Sequence, residues 1–169
     1  PHSVFDLRDV INEVFDQFEE KADKKELQLG FSDNSLIIAM VYGDRQKISQ
    51  VILNIISNAI KYSHDKDSRI IVELKDLEDF INVSVKDNGM GIPPGDINRI
   101  FERFYRVDKS RSKDTGGTGL GLSIVKHILE AHNQSVSVES AVGEGSIFTF
   151  KLPKAGKVSE ESESESNIS

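Results

Sequence analysis

The stretch from Asp44 to Tyr62 constrains the fold more than any other part of this sequence. Its apolar residues recur at helical spacing, and at about 100° per residue they occupy one broad arc. A helix with so wide an apolar face has to pack against a core. Asp44 is a suitable N-cap, so we predict a helix from Asp44 to about Tyr62. The arc consists of Ile48, Val51, Ile52, Ile55, Ile56, Ala59 and Ile60.

The same periodicity argument predicts two more long helices and five or six strands. Because the helices do not alternate strictly with the strands, we expect an α+β sandwich in which helices cover one face of a single sheet. The further helices are Phe5–Lys24, a short one around Asp96–Phe104, and Leu120–His132; the strands are Leu27–Phe31, Ile37–Val41, Arg69–Leu74, Phe80–Lys86, Ser135–Glu139 and Ile147–Leu152.

Length and composition exclude several classes of protein. With 169 residues the chain is long enough for one domain with a real core. It has no cysteine, which excludes disulfides and thiolate-bound metals. The formal charge of −7 argues against a nucleic-acid partner. No run approaches the roughly 18 apolar residues of a membrane span. The first residues are mixed and charged, unlike a signal peptide. Because the chain begins at Pro1 and not at an initiator Met, we expect it to be a piece of a longer protein.

The C-terminal residues have a composition of their own. The segment "KVSEESESESNIS" (157–169) repeats serine and glutamate with almost no apolar residues, and such a sequence cannot bury enough surface to fold. We therefore expect a folded domain over 1–153 and a disordered tail over 154–169.

The polar face of the Asp44–Tyr62 helix carries two amides and an ammonium. Asn54, Asn58 and Lys61 cluster within roughly 60° of one another, with Tyr62 at their edge. A solvated face is the simple explanation, but such faces more commonly carry residues that favour the helix more than asparagine does. Amide oxygens suit magnesium and lysine suits phosphate, so we favour a binding role.

An aspartate continues the apolar series of a predicted strand. In "FINVSVKDNGMGI" apolar and polar residues alternate, which places Asp87 on the core face, where a carboxylate needs hydrogen bonds. One explanation is that the strand ends at Lys86 and Asp87 begins a turn. The other is that Asp87 accepts a hydrogen bond from an amino group of a ligand, with Gly89 and Gly91 allowing close backbone approach.

A glycine-rich segment, "KDTGGTGLGLSIVK", runs into the last predicted helix. Backbone N–H groups at a helix N-terminus favour phosphate. The segment is neither a Walker A loop nor a G-x-G-x-x-G motif. Gly119 and Gly121 interrupt an apolar helical pattern, where each costs about 1 kcal/mol relative to alanine, which suggests a role in backbone contact. The preceding basic segment "FERFYRVDKSRSKD" (101–114) is interpreted as a lid over the site, although any single charge in it fits a solvated loop.

Together these segments resemble the ATP-binding catalytic domain of bacterial sensor histidine kinases, in the GHKL superfamily. "NIISNAIKY" resembles the N box of that family, "DNGMGI" its first glycine box, "FERFYR" its F box and "GGTGLGLS" its second glycine box. "GEGSIFTFKLP" is similar to the closing G3 segment. The resemblance covers about Val4–Pro153 and implies a Bergerat-type fold: a two-layer sandwich with a mixed sheet of about five strands covered on one face by three helices.

The resemblance also implies roles for single residues. Asn58 would hold Mg²⁺ with support from Asn54, Lys61 would contact phosphate, and Asp87 would accept the adenine amino group. Asn54 stands where related hydrolytic ATPases have a glutamate base, and an amide cannot take a proton. The implied nucleotide-binding residues are Asn54, Asn58, Lys61, Tyr62, Asp87, Gly89, Gly91, Ile92, Arg106, Gly117, Thr118, Gly119, Leu120, Gly121 and Leu122, with Phe101 and Phe104 anchoring the lid.

The implied activity is transfer of the γ-phosphate of Mg-ATP to a histidine on a dimerisation hairpin of the parent protein, with a response regulator as an indirect partner. None of the four histidines lies in the family's acceptor pattern, a histidine followed by an acidic residue and later a proline. His64, His127 and His132 are interpreted as structural or surface residues. We therefore expect a monomeric catalytic fragment from the cytoplasmic part of a membrane-anchored sensor. A gyrase-like or chaperone-like hydrolase, a nucleotide-sensing module and a serine-directed kinase remain as alternatives.

Overall fold

A computed structural model describes residues 1–105 and 121–156 of the chain. This part contains seven strands and four helices. In chain order they are β1 (Ser3–Asp6), α1 (Leu7–Lys24), β2 (Gln28–Phe31), β3 (Met40–Gly43), α2 (Arg45–Lys61), β4 (Arg69–Leu77), β5 (Phe80–Asp87), α3 (Pro94–Ile97), α4 (Gly121–Ala131), β6 (Ser137–Ala141) and β7 (Gly145–Pro153).

Five strands form one mixed sheet in the order β2-β4-β5-β7-β6. β2 runs parallel to β4, and the remaining neighbours are antiparallel. Alternate residues of β4, β5 and β7 are buried beneath the long helices, as in the row Val72, Val85 and Phe148. The other face is polar, as in the row Lys75, Asn82 and Lys151. The predicted α+β sandwich is confirmed, but the expected single sheet is accompanied by a separate two-stranded sheet formed by β1 and β3.

The helix α2 lies at the centre of the core. All seven residues of its predicted apolar arc are buried. The carboxylate of Asp44 caps the helix by accepting a hydrogen bond from the Lys47 N–H at 3.2 Å. The prediction of this helix is correct at both ends to within one residue.

The beginning of the chain differs from the prediction. The first helix starts at Leu7 rather than Phe5, because Asp6 caps it and also accepts a hydrogen bond from the Ala39 N–H at 3.0 Å. Phe5 belongs instead to β1, which pairs with β3. The strand predicted to begin at Ile37 begins at Met40, and Ile37 is 81% exposed.

Other element ends move by a few residues. β4 extends to Leu77 rather than ending at Leu74, so only two residues separate it from β5. The helix predicted around Asp96–Phe104 is only the short α3, because the chain continues in successive turns, such as the hydrogen bond from Glu102 N–H to Arg99 O. β6 lies about two residues later than predicted.

The last residues that the structure describes contact β4 and the turn after it. Lys154 pairs with the carboxylate of Asp76 and donates its N–H to Asp79 O at 3.0 Å. Residues 157–169 lie outside the described part, so the expected tail and its boundary stay predictions.

Among the helices of the described ranges, none combines the length and apolar character needed to cross a bilayer.

Candidate functional site

The carboxyl group of Asp87 lies at the end of β5 on the buried face of the sheet. In the register its neighbours are Ile70 on β4 and Ser146 on β7, so Asp87 is a strand residue and not the start of a turn. Asp87 Oδ1 accepts a hydrogen bond from Gly89 N–H at 2.9 Å, and the backbone N–H of Ser146 donates to the same carboxyl group. Burial raises the pKa of Asp87, against the opposing effect of these two donors.

The two glycines after Asp87 are required by the protein itself. A Cβ on Gly89 would lie 2.6 Å from Tyr62 O and 3.0 Å from Asp87 Oδ1. Gly91 has a φ of +75°, and its Cβ would lie 2.1 Å from Ala141 O. The sequence predicts that both glycines allow a ligand to approach closely, whereas the atoms that crowd them in the structure are mainly those of the chain's own backbone.

Hydrogen bonds tie this glycine-containing loop to α2 on one side and to the β6–β7 hairpin on the other. Met90 N–H donates to Tyr62 O at 3.1 Å, just beyond the C-terminal end of α2. Gly143 N–H donates to Met90 O at 2.8 Å, and Ile92 N–H donates to Ser140 Oγ at 2.7 Å. The loop is therefore held in place from both sides.

The polar face of α2 borders the same region. Asn54, Asn58, Lys61 and Tyr62 are all half-buried rather than fully solvated. The amide of Asn54 donates from Nδ2 to Gly121 O at 3.3 Å, which joins α2 to the first turn of α4. The ammonium of Lys61 lies 5.4 Å from the centroid of the Tyr62 ring.

The predicted residues of the glycine-rich segment fall into two groups. Gly121 and Leu122 lie in the first turn of α4, and Leu122 packs against the core. A Cβ on Gly121 would meet only Asn54, at an ordinary 3.9 Å, so packing within the described residues does not explain this glycine. The remaining residues, Arg106, Gly117, Thr118, Gly119 and Leu120, lie outside the described residues, and so does most of the predicted lid.

The two phenylalanines that were expected to anchor the lid are in different environments. Phe101 is half-buried and packs edge-to-face on Phe148, with ring centroids 6.3 Å apart. Phe104 is 65% exposed and has a φ of +64°. Phe101 is thus attached to the core, and Phe104 projects from it.

Sequence reasoning missed the contribution of the β6–β7 hairpin. Ser146 is 7% exposed, donates its backbone N–H to Asp87, and lies within 2.8 Å of Ser140 Oγ through its own hydroxyl. Gly145 has a φ of +121°, and a Cβ there would lie 2.0 Å from Asp87 O. The available signal is the "GEGS" segment, which the sequence analysis uses only as part of the G3 resemblance.

The histidines occupy positions that fit the structural interpretation. His132 accepts a hydrogen bond at Nε2 from Asp44 N–H at 3.0 Å, and its Nδ1 lies 2.8 Å from Ile128 O. This arrangement requires the neutral ring with the proton on Nδ1. His64 and His127 are exposed.

The donor chemistry of the site fits a nucleotide with magnesium. Within residues 1–105 and 121–156 no three His, Cys, Asp or Glu side chains converge as a metal cage. Magnesium is commonly bound through few protein ligands, with phosphate oxygens and water completing its shell. The amide oxygen of Asn58 is a ligand of the required kind.

Comparison with known proteins identifies the family. The model of the "Histidine kinase-, DNA gyrase B-, and HSP90-like ATPase" family matches residues 43–156, which include α2, the Asp87 loop and the β6–β7 hairpin. The chain belongs to this ATPase family. Membership supports the predicted use of a nucleotide.

Relatives within this ATPase family confirm the predicted resemblance to sensor histidine kinases. The sensor histidine kinase WalK of Bacillus subtilis (strain 168) is 41% identical over 142 residues, which cover 83% of this chain but only 23% of that protein. The catalytic domain of the histidine kinase ThkA has a TM-score of 0.77 and 33% identity, and the match covers 91% of this chain and 96% of the domain. A structure of ThkA in complex with the response regulator protein TrrA matches with a TM-score of 0.73 and 31% identity, over 91% of this chain and 42% of that one.

Proposed function

We propose that this chain binds Mg-ATP and transfers the γ-phosphate to a histidine on a dimerisation hairpin outside the chain. It would act as the catalytic part of a two-component sensor kinase. The observation that carries the proposal is the buried carboxyl group of Asp87, held by two backbone donors beside the C-terminal end of α2.

Asp87 supplies adenine specificity in this proposal. Its carboxylate oxygens accept hydrogen bonds, and the exocyclic amino group of adenine donates one. Partial desolvation strengthens such a bond, and the fold holds the carboxyl group in one orientation. Gly89, Gly91 and Ile92 form the rim of the adenine pocket.

The polar face of α2 would hold the phosphate end of the nucleotide. Asn58 contributes an amide oxygen to Mg²⁺, Asn54 supports the same cluster, and Lys61 supplies a positive charge to phosphate. Mg²⁺, when bound, neutralises charge on the phosphate oxygens. The residues of the chain orient the nucleotide and exclude water, and phosphoryl transfer asks for little more than positioning and electrostatic stabilisation.

The amide at position 54 favours a kinase over a hydrolase. Asn54 donates its N–H to Gly121 O, so its side chain is used as a hydrogen-bond donor at the first turn of α4. A neutral amide cannot serve as a general base for water at neutral pH. We therefore expect slow hydrolysis of bound ATP when the acceptor histidine is missing.

The partners follow from the proposed reaction. The acceptor hairpin belongs to the same parent protein, and the phosphate would pass from its histidine to a response regulator, a class of partner seen in the ThkA–TrrA complex. We propose that the parent is a membrane-anchored sensor with this domain on the cytoplasmic side, and that the isolated domain is a monomer.

A transfer experiment tests the proposal. The domain is incubated with γ-labelled ATP and Mg²⁺, with and without a separately produced hairpin that carries the histidine of the parent kinase. We expect acid-labile label on the hairpin and little free phosphate in its absence. Rapid release of free phosphate by the domain alone would instead identify a hydrolase, and bound but unconsumed ATP in both reactions would identify a binding module.

A pair of variants assigns the activity to the site. Asn58→Ala removes the proposed magnesium ligand and is expected to reduce transfer by about 100-fold or more. Asn12→Ala, on the exposed side of α1, makes the same chemical change away from the site and is expected to leave transfer unchanged.

A further inference from the structure

The C-terminal end of α2 determines where the predicted nucleotide-binding residues lie. Asn58 and Lys61 belong to its last turns, and Tyr62 is its C-cap. The final carbonyl groups of a helix have no partners within the helix, and they carry partial negative charge. A side chain that binds these carbonyls therefore helps to fix the position of the site.

A lysine from another element binds one of these carbonyls. Lys25, the C-cap residue of α1, donates from Nζ to Ile60 O at 3.0 Å and to Ser63 Oγ at 2.9 Å. The hydroxyl of Ser63 itself donates to Ile60 O at 2.6 Å. An ammonium at a helix C-terminus interacts favourably with the helix dipole, and this one also satisfies a carbonyl and a hydroxyl oxygen.

The backbone that presents Lys25 is well fixed. The end of α1 is closed by hydrogen bonds from Lys25 N–H to Lys21 O at 3.3 Å and from Leu27 N–H to Ala22 O at 2.9 Å. Leu27 is buried in the core directly afterwards. The main chain from which the Lys25 side chain extends is therefore fixed by the fold, and Lys25 itself is half-buried.

Contacts continue from this cluster to the Asp87 loop. Two residues beyond Ile60, Tyr62 O accepts the hydrogen bond from Met90 N–H at 3.1 Å. The fit between Tyr62 O and Gly89 is so close that even a Cβ has no room there. Gly89 N–H in turn donates to the carboxyl group of Asp87. A displacement of the α2 end would thus be transmitted to the group proposed to bind adenine.

We propose that Lys25 is a positioning residue of the nucleotide site: its ammonium caps the C-terminal end of α2 and so holds Tyr62 against the Asp87–Gly91 loop. The inferred effect of Lys25 on nucleotide affinity rests on the proposed nucleotide-binding function. The inferred effect of Lys25 on the order of the α2 end does not depend on a bound ligand. Lys25 acts on the site through Ile60 and Ser63, which it contacts directly, and through the backbone that leads from them to Tyr62.

A matched pair of lysine variants tests the inference. Lys25→Met removes the charge and keeps an unbranched apolar side chain. Lys24→Met makes the same change at a neighbouring lysine that is 74% exposed and forms an ion pair with Glu20 of its own helix. Two quantities are measured for both: amide hydrogen exchange without nucleotide, and the affinity for Mg-ADP by calorimetry.

The expected result is a local change confined to Lys25→Met. The amides of Ser63 and Met90 should exchange about tenfold faster, with global unfolding still cooperative, and the affinity for Mg-ADP should fall about fivefold to tenfold. Lys24→Met should change neither quantity. Lys25→Arg, which keeps a cation, should recover part of the affinity.

Each failure has a separate meaning. If Lys25→Met leaves the exchange of Ser63 and Met90 unchanged, the positioning role is wrong, whatever the nucleotide result. If wild-type protein binds no Mg-ADP, the proposed function fails, while the exchange measurement still decides the capping role. Should Lys25→Met fail to fold, Ser63→Ala removes one partner of the ammonium and is expected to give the same changes with smaller size; no change in that variant would overturn the inference.

Discussion

At the scale of single residues, Asp87 is a carboxyl group that the fold keeps largely out of water. Burial raises its pKa, and the hydrogen bonds from the Gly89 and Ser146 backbone only partly oppose this effect. Natural chains rarely bury a carboxylate without a strong reason, because the ionised form costs stability. The proposed reason is recognition of an amino group.

The raised pKa of Asp87 predicts how stability depends on pH. Below the ordinary value of 3.8 the group is protonated in both folded and unfolded chains. As the pH rises through the raised folded-state pKa, the unfolded chain ionises more easily, so stability is lost. Asp87→Asn removes this loss, and denaturant titrations should show the variant gaining stability relative to wild type as the pH rises from about 4 to 7. A difference that is constant with pH would contradict the assignment.

Gly91 allows a second prediction at residue scale. Its φ of +75° and the 2.1 Å separation that a Cβ would have from Ala141 O both oppose any side chain. Gly91→Ala should therefore lower the free energy of unfolding by about 2 kcal/mol or more. Gly95→Ala is the control, because a Cβ there would meet nothing within 4 Å among the described residues. Equal stability of the two variants would show that the loop tolerates side chains at position 91.

At the scale of secondary structure, two helices end in the same way without glycine. After α1, Glu26 has a φ of +52°, and Leu27 N–H reaches back to Ala22 O. After α4, Asn133 has a φ of +60°, and Gln134 N–H reaches back to Leu129 O at 2.8 Å. Both are helix ends at which glycine is the preferred residue, and asparagine tolerates the conformation better than glutamate does.

Because glutamate tolerates the left-handed conformation less well than asparagine, a glycine should increase the free energy of unfolding more at position 26 than at position 133. Glu26→Gly should raise the free energy of unfolding by about 0.5–1 kcal/mol, because it relieves the left-handed conformation. Asn133→Gly should give a smaller gain. Thermal or denaturant unfolding of both variants measures this, and a loss of stability in Glu26→Gly would show that the side chain of Glu26 contributes more than the backbone conformation costs.

Sequence reasoning succeeded for elements whose pattern is local. The helix α2 and the core-facing position of Asp87 follow from periodicity within a dozen residues, and the structure confirms both. It failed where pairing partners are distant in the chain. β1 forms because Phe5 lies opposite Val41, and neither neighbourhood by itself predicts that pairing.

In the candidate site, too, local sequence pattern predicts some contributions and misses those that depend on distant strand pairing. The polar face of α2 and the loop after Asp87 could be predicted from their unusual residue types. The contribution of Ser146 could not, because it depends on β7 lying beside β5 in one particular register. The roles assigned to all the nucleotide-binding residues remain predictions, and Arg106 and residues 117–120 also lie outside the described ranges.

At the scale of the whole molecule, one end of the sandwich gathers the groups that the proposal needs. The C-terminal half of α2, the loop after β5, the β6–β7 hairpin and the first turn of α4 are joined by hydrogen bonds between them. The rest of the sheet and α1 supply the core that supports this end. A ligand that bridges these elements should stabilise the entire domain, by about 2.7 kcal/mol at a concentration 100 times its dissociation constant.

The most direct test of the account is a calorimetric titration of the domain and of Asp87→Asn with Mg-ATP and Mg-GTP. Wild type should bind Mg-ATP and discriminate against Mg-GTP. Guanine has a carbonyl group where adenine has its amino group, and a carbonyl cannot donate a hydrogen bond to the carboxylate of Asp87. Asp87→Asn should remain folded but lose at least about tenfold in affinity for Mg-ATP, the equivalent of one hydrogen bond to a charged group. A folded Asp87→Asn variant that binds Mg-ATP as tightly as wild type would contradict the assignment of this site.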